Sequence, residues 1–352
     1  MNKLLVTKDF NNKIKFGPST SIINELKDNE NGNEKIYILD HCFTNRQNLS
    51  DKNINYIIIK NFFDLTKKLK TILNIVKNSN QIEIHCIFDV LLFFSLIIIL
   101  KIFRKEFKIY LRGMVNKNVL KKKKLLKLIY LFIAKPFIKN ATIVYTSKYE
   151  KKNSIKFFKN NKYIIINNKV NNKFIKIKNN KIYKKNNHLK ILFFSNLIWK
   201  KNFDFVYRIL KDLDFNIELN IYGKCYINQK YFSKMIFDLK KKHKVTYNNY
   251  YSNKNKSKIF FSHHLFFLPT IDENFGHAIV ENFLHYRPCL LSNNTPWNDN
   301  AFFNAGRSYS LNKTDSFKQA IKYFYLMNQK KYNSICKNSK NYILEKLKNK
   351  DY

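Results

Sequence analysis

Short, unbroken apolar runs alternate along this chain with longer segments whose apolar residues recur at helical spacing. The runs at 3–6, 35–39, 54–59, 82–88, 108–111, 141–145 and 163–166 read as strands. Their lack of polar alternation marks a parallel sheet covered on both faces. Between them, 62–76 and 89–103 have helical periodicity. A polar, basic stretch at 171–187 has little pattern and reads as a linker between domains. The alternation then restarts, with strands expected at 189–194, 217–222, 245–247, 265–268 and 289–291. Helices are expected at 201–213, 229–240, 253–261, 316–327 and 332–347. Strand, crossover helix, strand is the pattern of α/β folds. The expected architecture is therefore two α/β domains, 1–170 and 188–352, facing across a cleft. The last helix is expected to pack back on the first domain.

The segment 265–299 organises the second half. It reads as strand, loop, helix, strand, and its loops fall at strand carboxyl ends, where open α/β sheets bind ligands. Ile279, Val280, Phe283 and Leu284 form the apolar stripe of the helix, which leaves Glu281 on another face with His277 and His285 one turn either side. Asn274 can cap this helix, and Gly276 lets another group approach its first turn. Free N–H groups near Gly276 and His277 suit an anion, and an acid deeper in the helix can accept from sugar hydroxyls. The bland alternative is a solvated Glu on an ordinary amphipathic helix.

A length of 352 residues accommodates two cores, and a 45% hydrophobic content fits a globular protein. The formal charge of +42 changes the picture. Most of it is Lys, beside abundant Asn and Ile, as an A/T-rich coding bias would produce. Attraction to phosphate, in anionic lipid, sugar nucleotides or nucleic acid, is the functional reading of the same charge. The five cysteines are far apart and show no zinc or disulfide spacing, so a reducing, cytoplasmic setting is expected. Residues 1–10 are too polar for a signal peptide, and the longest apolar run, 90–100, is too short to span a bilayer. Lysines at 121–124 and 127 precede or interleave with Leu125, Leu128, Ile129 and Phe132 at helical spacing. Such a basic amphipathic helix suits an anionic membrane surface, and equally a packed helix with one solvated charged face.

The stretch PTIDENFGHAIVE, with Glu273 and Glu281 separated by seven residues, resembles the signature of glycosyltransferase family 4. These are retaining enzymes of the GT-B fold, two Rossmann-like domains around a cleft, and the resemblance is to the bacterial surface-polysaccharide type. SNNTPW, which follows, is similar to the family's next strand end and loop. SNLIWKKN, residues 195–202, resembles the loop that grips the donor diphosphate, with Lys201 at the basic position of a helix N-terminus. Asn196 stands where the family often has Arg, and Tyr286 where it often has Gly. IYGKC, residues 221–225, matches a strand end on the base or ribose side.

The resemblance implies a nucleotide-sugar donor, with Glu281 on the ribose and Glu273 on the transferred sugar. Asn274, Phe275, Gly276 and His277 would line the sugar and phosphates. In the first half, IEIHCIF places His85 where the family often has an active-site histidine. YLRGMV resembles the RGM-type loop of one bacterial branch, with Arg112 toward the cleft. Gly17 falls in the loop after the first strand, where GT-B enzymes carry a glycine facing the cleft. The acceptor implied is a polysaccharide, lipopolysaccharide or lipid-linked glycan, at the inner face of the cytoplasmic membrane. No metal or other cofactor is expected, because Asp212 and Asp214 end a helix and read as a turn. The rival readings are a basic nucleic-acid-binding protein and a GT-B scaffold without activity. Against the first, the basic residues are spread along the chain and no nucleic-acid module is recognisable.

Overall fold

The computed structural model describes residues 2–8, 22, 26, 34–42, 53–120, 124–180, 182–249 and 255–350. The chain divides into two compact units, Met1–Lys169 and Val170–Tyr352. Each is a parallel sheet with helices in its crossovers.

In the first unit the strands are β1 (Asn2–Lys8), β2 (Lys35–His41), β3 (Ile54–Ile59), β4 (Gln81–Ile84), β5 (Lys108–Tyr110), β6 (Thr142–Tyr145) and β7 (Tyr163–Ile165). Their order across the sheet is β3-β2-β1-β4-β5-β6-β7, every pair parallel. Leu4, Leu5 and Val6 of β1 are buried, as a central strand covered on both faces requires. The apolar run after β4 is a packed helix, Val90–Ile102, which buries Leu92, Phe93, Leu96, Ile97 and Leu100. Asp89 caps it, accepting from Leu92 N at 3.0 Å. The helix expected at 62–76 is two, Phe62–Lys67 and Leu69–Asn78. The break falls at Lys68, whose ammonium donates to Ile58 O at 2.6 Å. Strand β4 stops at Ile84, so His85 opens the loop and does not lie within the strand, although its N–H still reaches Val6 O at 2.8 Å.

The second unit holds β8 (Lys190–Phe194), β9 (Glu218–Tyr222), β10 (Lys244–Asn248), β11 (Leu265–Leu268), β12 (Cys289–Ser292) and β13 (Gly306–Tyr309). Their order is β10-β9-β8-β11-β12-β13. Strand β8 is central, pairing Lys190 with Glu218 on one side and Ile191 with Leu265 on the other. Strand β13 was not expected: Arg307, Ser308 and Tyr309 are only half-buried, and among the described residues the strand pairs β12 alone.

The described residues of 171–187, the expected linker, pack within the second unit. Distant polar side chains satisfy their backbone. Arg287 Nη2 donates to Asn180 O at 2.7 Å, Lys340 Nζ to Ile175 O at 2.9 Å, and Gln329 Oε1 accepts from Lys184 N at 2.6 Å. The last helix, Gln329–Asn349, buries Tyr332, Ile335, Cys336, Tyr342 and Ile343, and it packs on the helix His277–Leu284.

In both sheets the strand order reverses direction once, between β1 and β4 and between β8 and β11. Loops that diverge at such a point open a crevice at the strand carboxyl ends.

Candidate functional site

In the second unit, the loops after β8 and β11 meet at that switch point. The first carries a single 3₁₀ turn, Trp199–Lys201, and the helix expected from Lys201 begins two residues later, at Phe203. Asn202, in the left-handed conformation at φ 57°, separates them. Its side chain donates to Pro269 O at 3.1 Å, while Ile271 N and Thr270 Oγ1 both donate to Lys200 O at 2.8 Å. These bonds stitch the two loops together. Two ion pairs cross the same seam: Lys200 with Asp272 at 3.2 Å, and Lys201 Nζ in direct contact with Glu273 Oε2. Two residues singled out from the sequence, Lys201 and Glu273, thus meet at the switch point.

Asn196 is turned to another task in the same loop. Its Oδ1 accepts from Lys224 N at 3.1 Å and braces the turn after β9. That turn needs Gly223 (φ 142°), since a Cβ there would overlap the Ser195 carbonyl.

The helix His277–Leu284 starts from Gly276 at φ 74°, not from an Asn274 cap. The left-handed turn that glycine allows sets the chain into the helix directly, and a Cβ on Gly276 would press on Glu273 Cγ at 3.0 Å. Phe275 is buried against Trp297 with ring centroids 5.6 Å apart, and its carbonyl accepts from Trp297 Nε1. The Phe275 side chain therefore anchors the loop, while His277 remains half-buried at the helix start with its ring 4.8 Å from that of Phe275.

One turn into the helix, Glu281 is 5% exposed and its Oε2 meets Lys256 Nζ. Lys256 opens the short helix Lys256–Phe261. The next residue, Ser257, lies 2.9 Å from His285 Nε2. His285 Nδ1 lies 2.6 Å from Glu281 O and donates to it, so Nε2 accepts from the serine hydroxyl. Burial pushes the His285 imidazole down to about 4, which keeps it neutral. Lys256 and Trp297 were not foreseen in these roles.

In the first unit, His85 opens the loop after β4, on one side of the switch point. Arg112 Nε donates to His85 Nδ1 at 3.0 Å, and Arg112 Nη1 donates to Asn168 Oδ1 at 3.1 Å. The imidazole stacks on Tyr110 at 4.3 Å, and its Nε2 faces Glu83 Oε2 at 3.6 Å. Burial, then the Arg112 charge, pushes His85 down to about 4, so the ring is neutral and carries its proton on Nε2. Burial alone would raise the Glu83 carboxyl, but His85 and Lys3 together hold it at about 2. Arg112 and Gly113 are both left-handed, at φ 46° and 75°. Glu150 fixes the bend, accepting from Gly113 N and from Thr146 N at 2.7 Å. His85 and Arg112, singled out separately from the sequence, are hydrogen-bonded to one another. Gly17 lies outside the described residues.

Comparison with known proteins places this geometry in context. Residues 174–342 match the model of the family described as glycosyl transferases group 1. No curated protein matches the chain. Sucrose-phosphate synthase of Thermosynechococcus elongatus superposes with a TM-score of 0.73 at 10% identity, covering 98% of this chain and 94% of that one. HepE of Anabaena, solved in complex with UDP and glucose, gives 0.71 at 12% identity over 97% and 95%. WaaG, a glycosyltransferase involved in lipopolysaccharide biosynthesis, gives 0.67 at 11% identity over 97% and 95%. At these identities the superpositions establish the fold: two parallel-sheet α/β units of the GT-B type. The family match falls within the second unit.

Proposed function

We propose that the protein is a retaining glycosyltransferase that moves a hexose from a nucleotide donor to a polysaccharide, lipopolysaccharide or lipid-linked acceptor. The observation that carries the reading is the meeting of Lys201 and Glu273 at the switch point of the second sheet. A cation there suits the donor diphosphate, and an acid beside it suits the hydroxyls of the sugar attached to that diphosphate. Glu281, buried one turn into the adjoining helix, would accept from the ribose. The backbone from Asn274 to His277 would line the phosphates and sugar, with Asn196 holding the neighbouring loop. Support for retention is the resemblance of residues 269–281 to the family 4 signature.

In such a transfer the bond from the anomeric carbon to the phosphate oxygen breaks. The acceptor oxygen bonds the same face of that carbon, and its proton passes to the departing phosphate. The protein's part is to position both partners and to stabilise the leaving charge. Lys201 does the second. His85, neutral and held by Arg112, is proposed to take part in the transfer. No metal is assigned a role.

The acceptor side is proposed to be a membrane. The helix Lys124–Ala134 buries Leu131 and Ala134 but leaves Leu125, Leu126, Ile129, Phe132 and Ile133 exposed, Phe132 at 78%. An apolar face of that size beside lysines suits the interface of an anionic bilayer. Among the described residues no helix is long and apolar enough to cross a membrane. The test is a screen of sugar nucleotides against lipid-linked and soluble glycans, with the product anomer read by NMR. An α-linked product from an α-linked donor supports the proposal, and an inverted product refutes retention.

A further inference from the structure

The two acids of the donor loop and helix are each met by a lysine, but the two lysines differ in kind. Lys201 stands in the loop that adjoins Glu273, where a diphosphate can draw it away. Lys256 comes from a different helix and is enclosed: its side chain is 14% exposed and that of Glu281 7%. Its ammonium lies 5.8 Å from the Phe174 ring and 5.7 Å from the Phe194 ring, so aromatic faces hold it on two sides. The Ser257–His285 bond, one turn along, locks the same two helices in register.

We infer that Lys256 is a positioning residue for the nucleoside end of the donor. Its task is to hold the Glu281 carboxylate fixed and aimed. The inference rests on the reading that Glu281 accepts from the ribose. Bonds to charged acceptors are about twice as strong as bonds to neutral ones, so the aim of this carboxylate matters to a ribose hydroxyl. Lys256 also fixes one carboxylate oxygen, Oε2, which commits the other to the ligand. Lys256 therefore acts on the ribose through Glu281, without touching it.

The experiment is calorimetry with whichever of UDP, GDP and ADP binds the parent chain most tightly, beside its 2′,3′-dideoxy analogue. The variants are Lys256→Met, Lys256→Arg, Glu281→Gln and the Met–Gln double, each checked by its melting temperature. Loss of one charged hydrogen bond corresponds to about a tenfold to hundredfold weakening. Lys256→Met is expected to weaken the ribonucleotide by about tenfold or more and to leave the dideoxy analogue at parent affinity. Lys256→Arg is expected to restore most of the loss. The double variant should bind no worse than Glu281→Gln, as two residues acting through one contact require.

If Lys256→Met weakens both nucleotides equally, or neither, the inference is overturned. The first result would make Lys256 merely structural, and the second idle. If Glu281→Gln itself binds both like the parent, the ribose reading fails, and the inference falls with it. Should Lys256→Met not fold, the double-variant comparison is made with Lys256→Gln.

Discussion

Lys201 Nζ lies against Glu273 Oε2, bridging the loop that follows β8 to the loop that follows β11. Both side chains are largely buried, at 18% and 13% exposure, so the pair is only weakly screened by solvent. A donor diphosphate entering this crevice would compete with Glu273 for the ammonium. The carboxylate released would then be available to sugar hydroxyls.

The two substitutions at this pair should therefore act in opposite directions on the bare nucleotide diphosphate. Lys201→Ala removes a charged contact and is expected to weaken the diphosphate by about tenfold to hundredfold, with little change for the nucleoside. Glu273→Gln frees the lysine. It should bind the bare diphosphate as well as or better than the parent while losing turnover of the intact donor. Calorimetry with diphosphate and nucleoside, alongside donor turnover, separates the two. Equal losses of diphosphate affinity in both variants would contradict the competition.

Acid should destabilise the protein through its buried imidazoles. Burial lowers His85, His263 and His285 to about 4 and His264 to about 3, against 6.5 for the free side chain. The folded values lie below the unfolded one, so between about pH 4 and 6.5 the unfolded chain binds more protons. Stability contributed by these neutral rings is complete above 6.5 and is lost as pH falls through that window. Melting temperatures measured from pH 7 to 4 should drop, and His85→Gln should flatten part of the slope. A melting temperature that is level across the window would contradict this account.

The exposed face of Lys124–Ala134 should bind anionic vesicles. Replacing Ile129 and Phe132 together with Ser removes two exposed apolar groups and no buried contact. Vesicle binding by sedimentation is expected to fall several-fold, with the melting temperature unchanged. The parent's binding should weaken as salt rises from low to physiological strength. Equal partitioning of the parent onto neutral and anionic vesicles would leave coding bias as the source of the net charge.

Much of the fold was legible because buried parallel strands announce themselves as unbroken apolar runs, such as Leu265–Leu268 and Cys289–Ser292. Strand β13 was not, because an edge strand with half-buried Arg307, Ser308 and Tyr309 carries no such run. The segment 171–187 looked like a linker because the groups that hold it, Arg287, Gln329 and Lys340, lie more than a hundred residues away. At the site, Glu273 and Glu281 stood out by spacing and by resemblance, and Lys201 by resemblance only. Lys256 could not: it is one lysine in a chain of 66 basic residues, and its partner is supplied only by folding. The same holds for the bond between His85 and Arg112, which joins the ends of two strands 27 positions apart.

The claim on which the rest depends is that a nucleotide sugar binds in the second unit with Glu281 on the ribose. Calorimetric titration of parent and Glu281→Gln with the nucleotide diphosphate and its nucleoside tests it most directly. The parent should bind both, and the variant, isosteric but uncharged, should lose about tenfold to hundredfold in affinity for each. Equal binding by parent and variant, or no nucleotide binding by the parent, would contradict it.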